Sequence, residues 1–119
     1  MNLQFQQDAF RWACLCFGDD SARNAKERTM RFIEEALEFA QTTGLTRDDA
    51  LALVEHVFSR TPGRIGQELG GTMTTLAVLS QLIGYDAEYC GRFELDRNIA
   101  NTESIRAKWL KKPEEIKAK

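Results

Sequence analysis

Prolines are scarce in this chain of 119 residues: there are two, beside eight glycines. That scarcity argues against a linker-rich or disordered chain and leaves long stretches free to form uninterrupted helix. No apolar run approaches the ~20 residues needed to span a bilayer. The start, Met1-Asn2-Leu3-Gln4-Phe5, lacks the charged and apolar regions of a signal peptide, so a cytoplasmic location is expected. The three cysteines, Cys14, Cys16 and Cys90, have no framework spacing and read as reduced thiols, mostly buried. No second pair accompanies Cys14-x-Cys16 to make a zinc knuckle, and His56 is the only histidine, read as structural. The net charge of −2 supplies no global basic field to attract nucleic acid. Gly63-Arg64-Ile65-Gly66 is not followed by the Gly-Lys-Ser/Thr of a P-loop.

What is present is helical periodicity. Residues 3–17 place Phe5, Ala9, Trp12, Ala13 and Cys16 at helical spacing, stopped by Gly18-Asp19-Asp20. Ser21 or Asn24 is a candidate cap for a second helix to about Thr42, with Gly44 as the stop. Thr46 followed by Asp48-Asp49 predicts a capped helix to about Ser59. Thr61-Pro62-Gly63 is a break, and an apolar helix runs from about Ile65 to Ile83. Gly84-Tyr85-Asp86 ends it. A helix from Ala87 to about Ile99 follows, then a short one capped by Thr102 from Glu103 to Lys111. Pro113 ends order, leaving a frayed tail over 113–119. With no convincing strand and short connections, the expectation is an all-α protein. It is a compact helical bundle of four to five main helices in a single domain, residues 1–112.

One cluster stands out. Glu34, Glu35 and Glu38 fall within about 100° of one helix face. Like charges at these spacings repel by a few tenths of a kcal/mol. Apolar residues flank them, Met30 and Leu37 on one side, Phe32 and Phe39 on the other. Such a cluster calls for a cation. Its plainest reading is a solvated acidic face, with Arg28 and Arg31 near enough to pair; its sharper reading is a divalent-metal site, since Mg2+ prefers hard oxygen ligands. Glu68 opens the apolar helix, and Gly70-Gly71 beyond it costs roughly 1 kcal/mol per glycine relative to alanine. That cost suggests close approach by another helix or a ligand.

In order, Glu34-Glu35-x-x-Glu38, Glu68 after a connecting helix, Gly84-Tyr85-Asp86 and Asn98 resemble the motifs of the MazG-like, all-α nucleoside triphosphate pyrophosphohydrolases, over about residues 28 to 99. The resemblance implies a Mg2+ (or Mn2+) cofactor and a nucleoside triphosphate cleaved by water to the monophosphate and pyrophosphate. It implies Glu35, Glu38 and Glu68 as metal ligands, and Glu34 as a ligand or a group orienting water. Homodimers or homotetramers with sites near subunit interfaces are also implied. Two positions depart from the family pattern. Gly71 stands where Glu-x-x-Asp has its Asp, and Glu94 stands where Lys-x-x-x-Asn has its Lys. These departures are expected to be linked, Glu94 supplying the carboxylate lost at Gly71; the alternative is a degenerate scaffold that binds nucleotides or proteins without turnover. Arg97, Asn98, Arg106 and Lys108 are the candidate phosphate-binding residues. The basic stretch around Trp109 otherwise reads as a solvated helix end. No membrane partner is expected, and nucleic acid is disfavoured.

Overall fold

The computed structural model describes residues 2–113 and is all-helical there, with no strand among the described residues. Seven helices follow in order: α1 Gln4–Phe17, α2 Asp19–Ala22, α3 Ala25–Thr42, α4 Arg47–Phe58, α5 Ile65–Ile83, α6 Ala87–Ala100 and α7 Thr102–Leu110. No helix among the described residues is long and apolar enough to cross a membrane. Most of the expected tail, 114–119, lies outside the described residues.

Local chemistry accounts for most of these boundaries. Gly18 takes φ 84°, a conformation that side chains resist, and separates α1 from the single turn of α2. Asn24 caps α3, its Oδ1 accepting from the Glu27 amide at 3.0 Å. Thr46 and Asp49 form a reciprocal capping box on α4. The same exchange holds the Asp49 carboxyl below its usual value, chiefly through the Thr46 backbone amide. Asp86 accepts from the Tyr89 amide at 3.0 Å and starts α6. One expectation is settled and one needs correction. Of the two candidate caps for the helix ending at Thr42, Asn24 is the one used, and residues 19–22 form a separate turn not expected from the sequence. Thr102 lies inside α7 rather than capping it, because its hydroxyl bonds back to the carbonyls of Asn98 and Ile99.

The chain divides into two units, with the boundaries falling inside α3 and α6. The first comprises residues 1–39 and 92–119. In it α1 packs against α2 and α7. Ala13, Cys16, Ala22 and Leu95 are its buried apolar residues. Phe17 meets Trp12 edge-on, ring centroids 5.6 Å apart, and Trp109 at 5.4 Å. Such pairs are worth about 0.5–1.5 kcal/mol each beyond the area they bury. Glu27 is buried among them. One carboxylate oxygen accepts from the Ser21 hydroxyl, from Arg28 at 2.9 Å and from the Trp109 indole at 3.0 Å. Arg106 reaches back to the carbonyls of Cys16 at 2.7 Å and Leu15 at 2.9 Å, and so caps the C-terminus of α1. Burial raises the Cys16 thiol pKa, which keeps it protonated.

The second unit, residues 40–91, holds α4, α5 and the ends of α3 and α6. Its only buried residue is Ser80, whose hydroxyl bonds to the Leu76 carbonyl at 2.8 Å. Thirteen of its large apolar side chains are exposed, among them Phe58 at 83% and Ile65 at 91%. The all-α expectation therefore holds, but the compact core expected for this stretch is not formed within it. A unit of this size that buries no apolar side chain lacks the main term favouring folding.

Candidate functional site: the acidic face of α3

Glu34, Glu35 and Glu38 share one face of α3, and their first partners are cations of the chain itself. Arg31, one turn before, donates to Glu34 at 3.2 Å and to Glu35 at 2.6 Å. Lys112, just past the end of α7, donates to Glu34 at 2.8 Å. The hydrogen bond from Lys112 is the main cause that holds the Glu34 carboxyl below its usual range, with Arg31 adding to it. Glu34 is 38% exposed and Glu35 61%. Glu38 is exposed and makes no ion pair among the described residues. The repulsion legible in the sequence is thus relieved at Glu34 and Glu35 by guanidinium and ammonium groups.

Lys112 was not among the candidate site residues. Its place follows from Trp109, one turn earlier, which is anchored on the buried Glu27. Glu27 and Glu34 lie two turns apart on one side of α3, and Trp109 and Lys112 one turn apart along the chain, so the two contacts form successive rungs. Helical periodicity within either segment carries no signal for a pairing across 78 residues.

The other candidates are distributed as follows. Glu94 is held in two hydrogen bonds by Arg97 on its own helix, at 3.0 and 2.9 Å. Arg97 therefore spends its guanidinium on a carboxylate. Arg106 spends its own on the end of α1, a structural task where a phosphate contact was expected. Asn98 contributes its carbonyl to the turn before α7. Lys108 lies in the last turn of α7 and forms no ion pair among the described residues.

Glu68 belongs to the other unit. It sits in the first turn of α5, where the helix dipole favours a carboxylate. Its side chain folds back onto the preceding loop, so that a Cβ on Gly63 would overlap its Oε2. At Gly70 and Gly71 an added Cβ meets nothing within 4 Å. The close approach those glycines suggested is therefore not made by the described residues of their own unit.

As ligands, Glu35 and Glu38 offer hard oxygen donors open to solvent, the right chemistry for Mg2+. Among the described residues, no three His, Cys, Asp or Glu side chains converge as a metal site. The fit on α3 is thus partial: Glu38 is exposed and makes no ion pair among the described residues, Glu35 is exposed but held by Arg31, and Glu34 is bound to Lys112 and Arg31. Comparison of the chain with protein-family models, with curated proteins and with solved structures finds no match.

Proposed function

We propose that this protein is a Mg2+-dependent nucleoside triphosphate pyrophosphohydrolase of the MazG-like type, acting as a cytoplasmic homodimer or homotetramer. A nucleotide-pool cleansing role would suit it. One observation carries the reading. A single face of α3 presents Glu35 and Glu38 to solvent, with Arg31 and Lys112 beside them. That combination offers oxygen donors for a hard cation and positive groups for a polyphosphate. Glu35 and Glu38 on α3 are the residues that would hold the ion; Glu68 and Glu94 are further ligands only by the family resemblance. When bound, Mg2+ neutralises triphosphate charge and lowers the pKa of water. Arg31 and Lys112 would exchange a carboxylate for a phosphate oxygen, keeping their charges paired. The net reaction consumes one water and yields a nucleoside monophosphate and pyrophosphate.

A second reading has its own observation. Glu34, Glu35 and Glu94 are already paired with Arg31, Lys112 and Arg97. An acidic face neutralised internally suits a scaffold that binds nucleotides or proteins without turnover. Incubation with a panel of NTPs and dNTPs plus Mg2+, with pyrophosphate as the readout, separates the two. Turnover that is lost in Glu38→Gln and Glu68→Gln supports the enzyme. Absence of pyrophosphate with every nucleotide, together with no Mg2+- or Mn2+-dependent thermal shift, supports the scaffold and rejects the enzyme.

A further inference from the structure

Two cations of the chain lie against the acidic face of α3, and they reach it in different ways. Arg31 pairs with Glu34 and Glu35 through helical spacing and needs no tertiary structure to do so. Lys112 pairs with Glu34 at 2.8 Å across 78 residues, which requires α7 to be docked.

We propose that Lys112 is a built-in competitor for the metal ion. The docked α7 seats its ammonium on Glu34 and so withholds that carboxylate; when Lys112 leaves, Glu34 joins Glu35 and Glu38 as a third oxygen donor. This rests on the metal-binding part of the proposed function and names how that site is regulated. Three observations carry it.

The first is that the ammonium is seated. Lys112 is 24% exposed, less than the 38% of the Glu34 side chain it covers. It lies two residues past the end of α7, and its amide donates to the Trp109 carbonyl at 3.2 Å, so the helical turn continues up to it.

The second is the anchor. Arg106 fixes α7 to the carbonyls of Leu15 and Cys16, and the Trp109 indole donates to the buried Glu27 at 3.0 Å while its ring lies against Phe17. Trp109 therefore holds Lys112 one turn away from Glu34's side of α3. A group tethered this closely competes at an effective concentration of about millimolar or more. Its flexible four-carbon stem lets the ammonium leave Glu34 while every anchor of α7 stays in place.

The third is charge. Three carboxylates, Glu34, Glu35 and Glu38, stand against two cations, Arg31 and Lys112, which leaves the closed face one negative charge. Without Lys112 the face carries two, the charge that one divalent ion neutralises. An ion arriving while Lys112 is seated would share Glu34 with an ammonium, and like charges a few ångströms apart repel. The coupling is reciprocal: Lys112 weakens the ion's hold on Glu34 by the factor by which the ion weakens that of Lys112.

The test is the affinity of the full chain for Mn2+ alone, with unbound ion read by electron paramagnetic resonance at low ionic strength. Lys112→Met removes the charge and keeps an unbranched side chain. It is expected to bind Mn2+ about tenfold more tightly than the wild type, with the difference shrinking as salt is added. Lys112→Arg keeps the charge and should bind as the wild type does. Trp109→Phe keeps a ring against Phe17 but loses the N–H on Glu27. It loosens the seat of Lys112 and should tighten Mn2+ binding by a smaller factor, a gain that a purely structural role for Trp109 would not give. Glu38→Gln added to Lys112→Met should abolish the gain. Circular dichroism checks that each variant is folded. A wild type that binds Mn2+ with Lys112→Met no tighter overturns the competitor and leaves the metal reading standing. No Mn2+ bound by either protein overturns both. A gain in Lys112→Met that survives Glu38→Gln places the ion elsewhere and also overturns the inference.

Discussion

Residues 1–39 with 92–119 and residues 40–91 are built from the same kind of helix, yet they solve different problems. In the first unit, polar groups are taken out of water and paired. Glu27 accepts three hydrogen bonds under an aromatic cluster, and Arg106 closes the end of α1. In the second, α4 carries a full capping box, but the apolar faces remain in water. Capping and periodicity make helices; only burial of their faces makes a stable unit. The contrast teaches that strong local signals and a completed core are separate properties, and that the second unit has the former without the latter in a single copy.

The comparison can be broken or sharpened by four substitutions, in falling order of effect. Glu27→Ala strips the acceptor from Ser21, Arg28 and the Trp109 indole, and leaves Arg28 half-buried and unpaired. It is expected to cost about 3 kcal/mol in urea unfolding, whereas Glu27→Gln, which keeps an acceptor, should cost clearly less. Equal losses in the two variants would show that the cluster is held by packing alone. Thr46→Ala removes the capping box of α4 and should cost about 1 kcal/mol. If the second unit completes its core against another copy, that loss will shrink in apparent melting temperature as protein concentration rises; a loss independent of concentration would contradict this.

Lys112→Ala probes the acidic face. Because Lys112 lowers the pKa of Glu34 in the folded protein, the pair contributes stability above the unfolded carboxyl value of about 4.3, lost as pH falls through the lower folded value. The pair is part-exposed, so the expected loss is a few tenths to 1 kcal/mol at pH 7, and it should vanish in strong acid, below the folded value. Thermal melts of wild type and variant that stay equally far apart at neutral pH and in strong acid would remove the pair from the account. Gly63→Ala is the smallest. The clash it creates is with the free end of the Glu68 side chain, which can swing away, so stability should change by less than about 0.5 kcal/mol. A crystal structure of the variant should show Glu68 in another rotamer; an unmoved Glu68 carboxylate would mean the backbone has shifted instead.

Much of the fold was legible because it is decided within a few residues. The capping box at Thr46, the span Ile65–Ile83 and the stop at Gly84 depend on neighbours along the chain. The start of α3 is open between Ser21 and Asn24 in the sequence, because both are competent caps and local rules do not rank them; the structure uses Asn24. The candidate site was legible as a list of carboxylates and little more. Glu34-Glu35-x-x-Glu38 announces its face through helical geometry, but nothing in its own sequence says that Lys112 arrives from the end of α7. Nor does the sequence around Arg97 and Arg106 reveal that one is spent on Glu94 and the other on the end of α1.

By itself the sequence determined that this protein is helical, where most of its helices start and stop, and which face of α3 is acidic, since all three follow from interactions within about one helical turn. The tertiary structure alone decided which cations answer those acids, that Glu27 would be buried and paired, and that the apolar side of α5 would be left open. These depend on contacts between segments tens of residues apart, and pairing over such distances is set by the joint burial of surfaces rather than by any local preference.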